Sequence, residues 1–206
     1  MIRAVLIAFL SLAHTGPALA QLSERTTAEL RSAAAQIALI EPGPVPDLLL
    51  RAIIAAEQPD HLDRSPENSG LTRRLARLHL GAMPTLERRA AETALAKFIG
   101  ERLTASDIVR IYAASVYYGR NCYGYRDASA GLAAEWHTQA GDDVWLALAA
   151  LPRSPSWYLR DRTALAGRVD TIISEMFEAG LITQETAERL ESLPKANLHA
   201  GKGCSK

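Results

Sequence analysis

The sequence lacks a charge imbalance, is poor in aromatic residues and has only two cysteines. Its 23 lysines and arginines balance 23 aspartates and glutamates, so nothing in its net charge points to nucleic acid as a partner. Two cysteines are too few for a metal cluster, and the five histidines are scattered without the spacing of metal ligands. Aromatic residues make up 6% of the chain, whereas alanine and leucine are abundant, which favours helices. A chain of 206 residues can bury a core of its own.

Long apolar runs are also absent after the first twenty residues. Arg3, the apolar stretch "AVLIAFLSLA" and the small residues Ala18–Ala20 are typical of a secretory signal peptide over residues 1–20. The apolar stretch is too short to cross a bilayer, and an uncleaved N-terminal anchor is the alternative. We therefore expect a protein that is periplasmic or otherwise exported.

Export would place the two cysteines in an oxidising compartment. Cys122 and Cys204 are then candidates for a disulfide that pins the polar tail "HAGKGCSK" to the domain. Two unpaired thiols are the alternative, and the sequence leaves both open.

Helical periodicity dominates the rest of the chain. Residues 21–44 are predicted as an N-terminal helix or a loosely attached arm, and "EPGPVP" interrupts the chain there. Apolar residues at helical spacing then predict a helix that begins near Pro46 and is closed by Pro59. Five more helical segments are predicted: about 70–80, "PTLERRAAETALAKFIGERL", "IVRIYAASVYYG" after a Thr104–Asp107 capping box, "DDVWLALAALP", and a long helix ended by Gly180. Thr183 caps a last helix through Leu190.

The remaining segments show no alternation of apolar and polar residues. "YYGRNCYGYRDASAG" and "PRSPSWYLRD" are predicted as irregular connections, and no strand is predicted. The expected fold class is all-α, with about seven or eight helices.

Glu57 lies at the end of an apolar stripe. It follows Ile54 by three positions, Ile53 by four and Leu50 by seven, so it continues their face of the helix. Partial burial of a carboxylate favours proton uptake, as general acid–base catalysis requires. The alternative, which the spacing by itself favours, is a frayed helix end at which the glutamate turns to water.

Glu92 is a second candidate because it lies in a basic neighbourhood. It follows Arg88 by four positions and Arg89 by three, so the three share one flank of a helix. Such a cluster can hold a phosphate or pyrophosphate, and a solvated salt-bridged surface is the alternative. Further basic residues precede it on the helix before: Arg73, Arg74 and Arg77.

Several segments, taken in order, resemble the family 51 glycosyltransferases, the peptidoglycan transglycosylases. "VPDLLLRAIIAAEQ" resembles the segment that leads into the family's first catalytic glutamate, and "NSGLTRRLAR" is similar to its second motif, G-S-T-x-T-Q-Q-L-A-K. "TLERRAAETALA" resembles the third motif, R-K-x-x-E, and "SDIVRIYAASVYYGRNCYGYRDASAGL" the fourth motif with the glycine turn after it. "LALAALPRSPSWY" and "RVDTIISEMFEAGLITQETAERL" are similar to the family's C-terminal part, so the resemblance covers about Val45 to Leu190.

The resemblance implies roles for individual residues. Glu57 matches the first glutamate, the proposed general base, and Glu92 matches the second, thought to assist at the phosphate end or to position the reactants. Substrate-binding candidates follow from the second and third motifs: Ser69, Thr72, Arg73, Arg74, Arg88 and Arg89. In the fourth motif, Ile108 and Tyr112 match an apolar and a tyrosine position.

The chain departs from the family pattern at several positions. Gln58 stands where the family has aspartate, Gly70 replaces a threonine, and Arg73 and Arg74 replace two glutamines. Ser69 follows Glu57 by only twelve positions, whereas the family has a considerably longer segment there, which builds much of its smaller jaw lobe. The resemblance therefore implies a lysozyme-like transglycosylase domain with a reduced jaw lobe over residues 45–192, followed by a polar tail over residues 193–206.

Three functions are compatible with these residues. The resemblance implies a peptidoglycan glycosyltransferase that uses a lipid-linked pyrophosphate donor. It would act on lipid-linked peptidoglycan precursor and glycan strands, with peripheral membrane contact and a divalent cation such as Mg²⁺ at the pyrophosphate. A catalytically inactive descendant that binds glycan or precursor and regulates other cell-wall enzymes is the second. A glycan-cleaving enzyme of related architecture is the third.

Overall fold

The computed structural model describes residues 24–132, 141–194, 198 and 203–204. The predicted signal peptide and most of the predicted polar tail lie outside these residues. The described part forms ten α-helices, two short 3₁₀ helices and one two-stranded antiparallel sheet. The helices are α1 Glu24–Leu39, α2 Asp47–Glu57, α3 Gly70–His79, α4 Thr85–Gly100, α5 Ala105–Ser115, α6 Tyr125–Leu132, α7 Asp142–Ala150, α8 Pro155–Tyr158, α9 Arg162–Glu178 and α10 Gln184–Glu191. The strands are β1 Tyr117–Gly119 and β2 Cys122–Tyr123, and the 3₁₀ helices are Pro66–Asn68 and Leu151–Arg153.

The predicted all-α class is confirmed, and the predicted helix count is too low. Two of the extra helices, α6 and α8, lie in segments that were predicted as irregular connections. Helix α6 follows Gly119 and Gly124 and contains Gly131, and these glycines conceal it, whereas α8 is a single turn that begins at a proline. None of the described helices combines the length and the apolar character needed to cross a membrane.

The chain is divided into two compact units. Within the described residues, the first unit comprises 24–41 and 61–111, and the second comprises 42–60 and 112 onwards. The boundaries fall after Asp60, three residues beyond Glu57, and between Ile111 and Tyr112 inside α5.

The first unit is built on α1, α3 and α4. Helix α1 buries Leu30, Ala33 and Ile37 and packs on both α3 and α4, so residues 24–39 form an integral helix and not a loose arm. Apolar side chains recur at helical spacing on α3 and α4 and bury the facing stripes. Gly100 ends α4 where a Cβ atom would lie 2.2 Å from the backbone nitrogen of Glu67, so only glycine allows this close approach.

The second unit is built on α2, α7 and α9, each of which packs against the other two. Helix α2 is buried along most of its length because apolar residues cover more than one of its faces: Leu49, Leu50, Ala52, Ile53, Ile54 and Ala55. Helix α9 begins at the Asp161 cap, whose side chain accepts the N–H of Ala164 at 2.9 Å. The predicted Thr183 cap is confirmed, since its hydroxyl accepts the N–H of Thr186 at 3.2 Å.

The predicted irregular stretch after α5 contains a β-hairpin, so the expectation of no strand is wrong at this place. Strand β1 pairs antiparallel with β2, and the turn between them holds Arg120 and Asn121 at φ of 50° and 62°. Positive φ at both turn residues is the geometry that matches the twist of paired strands. The usual Asn-Gly signal is absent, because arginine occupies the first turn position, and the sequence therefore conceals the hairpin.

Candidate active site

Glu57 is the last residue of α2. The helix ends there because Gln58, whose N–H still bonds the Ile54 carbonyl at 2.8 Å, has extended backbone angles. The buried helix carries the Glu57 side chain to a half-buried position. The hydroxyl of Tyr112, a residue only 3% exposed, donates a hydrogen bond to Glu57 Oε1 at 3.0 Å. Glu57 is therefore a held carboxylate and not a frayed end that turns to water.

Tyr118, a buried residue of the second unit, interacts electrostatically with the same carboxylate. Its side chain is fully buried, and its hydroxyl donates to the Ala113 carbonyl at 3.2 Å. Burial raises the pKa of Tyr118 strongly, and the negative charge of Glu57 raises it further. Tyr118 is therefore a neutral hydrogen-bond donor at any physiological pH.

Glu92 is buried on α4 and bound by two arginines of the first unit. The Arg77 guanidinium group donates two hydrogen bonds to it, from Nε to Oε1 and from Nη2 to Oε2, both at 2.9 Å. Arg88, one turn earlier on α4, lies 3.3 Å from Oε1. The hydrogen bonds from Arg77 hold the pKa of Glu92 below its usual range, against the opposing effect of burial. Glu92 is therefore an ionised carboxylate that orients two arginines, and not a group that exchanges protons near neutral pH.

Ser69 and Thr72 are fully buried in the first unit. The Ser69 hydroxyl caps α3 by accepting the Leu71 N–H at 3.2 Å, and it lies 2.6 Å from Nδ1 of His61. The Thr72 hydroxyl donates to the Pro66 carbonyl at 2.6 Å. Both hydroxyls thus stabilise the segment before α3, although the resemblance implies a substrate-binding role for them.

His61 completes this buried network. Its Nε2 lies 3.0 Å from the carbonyl oxygen of Ala105, which can only accept, so Nε2 carries the proton. In the neutral imidazole, Nδ1 is then the acceptor for the Ser69 hydroxyl. The imidazole links the short segment after Glu57 to the start of α5, and nothing in the spacing of "PDHLDR" indicates that role.

The other basic candidates are exposed on the first unit. Arg73 and Arg74 lie on α3, which has no acidic residue, and Arg89 lies on α4. All three residues are exposed. Arg77, whose side chain is 59% exposed, forms an ion pair with Glu92.

A magnesium cage is not formed by the described side chains alone. In the part of the chain that the structure describes, no three His, Cys, Asp or Glu residues are grouped so that they could hold a metal ion. The Glu92 carboxylate is already held by two arginines. A divalent cation at a pyrophosphate therefore stays a prediction, and no step of the chemistry is assigned to it.

The central part of the chain is similar to known proteins. The family profile described as transglycosylase matches residues 41–177, which is more than half of the chain. The chain belongs to the transglycosylase family. Its all-α architecture agrees with the lysozyme-like fold that the resemblance implies for this family.

Several penicillin-binding proteins are similar to this chain. Penicillin-binding protein 1A of Escherichia coli K12 is 31% identical over 137 residues, which cover 64% of this chain and 16% of that protein. Penicillin-binding protein 1A of Rickettsia felis is 29% identical over 116 residues, 53% of this chain and 14% of that protein. Penicillin-binding protein 2a of Streptococcus pneumoniae D39 is 30% identical over 128 residues, 60% of this chain and 18% of that protein. The chain thus matches less than a fifth of the length of each of these relatives.

The segment after Glu57, which is shorter than in the family, forms only short local structure. Residues 58–69 contain a turn and the 3₁₀ helix Pro66–Asn68, which leads directly to the Ser69 cap. Where the resemblance implies a jaw lobe, this chain has only these few residues.

The two cysteines that the sequence offers as disulfide candidates are bonded to each other. Cys122 and Cys204 form a disulfide across a sequence separation of 82, with their Cα atoms 5.0 Å apart. The N–H of Cys204 also bonds the Arg120 carbonyl at 3.1 Å, which fixes this part of the tail against the hairpin turn. A Cβ at Gly131 would lie 2.6 Å from the Cys204 sulfur, so glycine makes room for the bridge.

Proposed function

We propose that this member of the transglycosylase family is a peptidoglycan glycosyltransferase. It transfers glycan from a lipid-linked pyrophosphate donor to the 4-hydroxyl of an acceptor sugar. The observation that carries the proposal is the held carboxylate of Glu57 at the end of buried helix α2. It lies within the segment that the family profile matches, at the position that resembles the family's first catalytic glutamate.

In the proposed reaction Glu57 acts as the general base. It removes the proton of the acceptor 4-hydroxyl while that oxygen attacks the anomeric carbon of the donor. A new glycosidic bond forms, and the bond to the pyrophosphate breaks with its electron pair on the departing oxygen. The Tyr112 hydrogen bond supports this role because it fixes the direction in which the carboxylate presents its other oxygen.

The departing lipid pyrophosphate carries dense negative charge, which cations must stabilise. We assign this task to the arginines that match the second and third family motifs, because guanidinium groups bind phosphate oxygens in pairs. Glu92 supports them by fixing Arg77 and Arg88 in place, and its ionised state keeps both pairs formed at neutral pH. Exposed Arg73, Arg74 and Arg89 add further donors.

A lipid-linked substrate places the reaction at a membrane surface. We therefore propose an exported protein with peripheral membrane contact. Exposed leucines of the first unit, Leu62 at 50%, Leu78 at 42% and Leu86 at 83%, are side chains that a lipid surface can accept.

A second candidate function is regulation without catalysis. Two observations favour it. The segment after Glu57 is short, and the Ser69 and Thr72 hydroxyls, which match substrate-binding positions of the family, form hydrogen bonds within the protein instead. Such a protein would bind glycan strands or lipid-linked precursor and act on other cell-wall enzymes.

One assay separates the candidates. The chain without residues 1–20 is incubated with lipid-linked disaccharide-peptide precursor in detergent, with Mg²⁺ or with a chelator, and separately with finished peptidoglycan. Polymer formation supports the transferase, and its loss on chelation supports the predicted cation. Precursor binding without turnover supports the regulator, and release of fragments from finished peptidoglycan supports a glycan-cleaving enzyme.

A further inference from the structure

Arg168 is a charged side chain buried inside the second unit. It is 9% exposed and lies on α9, the long helix that packs against the Glu57 helix α2. Burial of a guanidinium group is costly unless its N–H groups find partners, so each of its bonds is informative.

The two partners of Arg168 are a carboxylate and a backbone carbonyl. Nη1 lies 3.1 Å from Oε1 of Glu175, two turns further along the same helix. Nη2 donates to the carbonyl oxygen of Ala56 at 3.0 Å. Ala56 immediately precedes Glu57, and its carbonyl is one of the last four of α2, which have no partner within the helix.

The bond to Ala56 fixes the turn that carries Glu57. Gln58 leaves the helix in an extended conformation, so the N–H of Gln58 is the last to continue the helical pattern, at Ile54. Beyond that bond the turn depends on other groups, and a cation at a helix C-terminus suits the dipole there. Tyr112 then holds the carboxylate itself.

Stability alone explains this ion pair poorly. In the part of the chain that the structure describes, Arg168 Nε and Glu175 Oε2 are buried and have no hydrogen-bond partner. Leaving two buried polar atoms unpaired opposes stability, and two apolar side chains would avoid that cost. A task beyond stability accounts for the arrangement, and the bond to Ala56 supplies one.

We propose that Arg168 is a positioning residue for Glu57. Its guanidinium group fixes the backbone of the last turn of α2, and Glu175 fixes the guanidinium group. The inference rests on the proposed role of Glu57 as general base.

The kinetic test replaces Arg168 by lysine, which keeps the charge but loses the planar fork that reaches two partners. We expect kcat for polymer formation to fall about 10- to 100-fold, because small displacements of a reacting group have effects of this size. KM should stay within about twofold, because the contacts with substrate are untouched. The matched control is Arg189→Lys, which alters another ion pair of the same unit, Arg189–Asp142 at 2.8 Å, and should leave kcat unchanged.

A second test needs no activity. Amide hydrogen exchange at Glu57 and Gln58 should become about tenfold faster in Arg168→Lys, because local opening of the last turn exposes these groups. Exchange at Ile53 and Ile54 should match the wild type. Unchanged exchange at Glu57 and Gln58, or an equal acceleration along the whole of α2, would overturn the proposal. A wild-type protein without turnover would refute the role of Glu57 as base and would leave the exchange test of positioning intact.

Discussion

The hydroxyl of Tyr112 donates a hydrogen bond to Glu57 Oε1 at 3.0 Å, across 55 positions of sequence. Tyr112 is buried, so its ring is held in place and its hydroxyl cannot move out into water. The pair gives the second unit a carboxylate of defined direction, which the proposed role of Glu57 as general base requires.

Removing this hydroxyl should impair turnover more than stability. We expect Tyr112→Phe to lower kcat about 10-fold or more, because Glu57 loses its direction, and to cost about 1 kcal/mol of unfolding free energy. The matched control is Tyr125→Phe, which removes the hydroxyl of a buried tyrosine bonded to the Pro44 carbonyl at 2.9 Å in the same unit. Polymerisation rates and urea unfolding of both variants provide the measurement. An equal loss of kcat in the two variants would contradict a specific role for Tyr112.

The Glu92 ion pairs should make stability depend on pH. The pKa of Glu92 is lowered by Arg77 from an ordinary value of 4.5, so its contribution is fully present above that value and is lost as pH falls towards the lowered pKa. We expect Glu92→Gln to cost about 1–2 kcal/mol at pH 7, since Arg77 is largely solvent-exposed and its attraction is screened. The difference from wild type should shrink as the pH falls below the ordinary value.

Urea unfolding of wild type and Glu92→Gln at pH 7 and at acidic pH provides this measurement. Glu101→Gln is the control, because Glu101 lies on the surface next to Lys97 and Arg102. A stability difference for Glu92→Gln that stays constant with pH would contradict the ion-pair account.

Ser69 should matter for folding and not for substrate affinity. We expect Ser69→Ala to cost about 1–3 kcal/mol, because α3 loses its cap and buried His61 loses a partner. Thermal unfolding and KM for the lipid-linked precursor provide the measurements. Ser129→Ala is the control, since the Ser129 hydroxyl donates to the Arg126 carbonyl three positions earlier in the chain, at 2.9 Å. A raised KM in Ser69→Ala with unchanged stability would restore the substrate-binding role.

The disulfide should stabilise the second unit under oxidising conditions. A bridge that closes a loop of this length, with a sequence separation of 82, is expected to contribute about 2–4 kcal/mol, mainly by restricting the unfolded chain. Addition of a reductant should therefore lower the melting temperature of the wild type. The Cys122→Ser, Cys204→Ser double variant should melt at the lower temperature with and without reductant. Equal melting of oxidised and reduced wild type would contradict the prediction.

The fold was largely predictable because its signals are local. Helical spacing of apolar residues, the Thr104–Asp107 box and the Thr183 cap all act within a few positions, and the structure confirms each. The hairpin at Arg120–Asn121 was not predictable, because its turn residues adopt positive φ without the usual glycine. It depends on packing that a short window of sequence cannot reveal.

The sequence provides the two candidate glutamates, but not the partners that hold them in the structure. The order of the segments that resemble family motifs singles out Glu57 and Glu92 as candidates, whereas the contacts that define their surroundings join residues far apart in sequence. Tyr112 lies 55 positions from Glu57, and Arg168 lies 112 positions from Ala56. Ser69 shows the opposite case, since its match to a family motif gave no sign that the hydroxyl is buried against His61.

The rate at which Glu57→Gln forms polymer from lipid-linked precursor, relative to wild type, tests the role of Glu57 most directly. Glutamine keeps the size of the side chain and can accept the Tyr112 hydrogen bond, but it cannot take up the acceptor proton. We expect a loss of at least about 100-fold in kcat, with the melting temperature and precursor binding near those of wild type. Equal rates of polymer formation in the two proteins would contradict the role of Glu57 as general base.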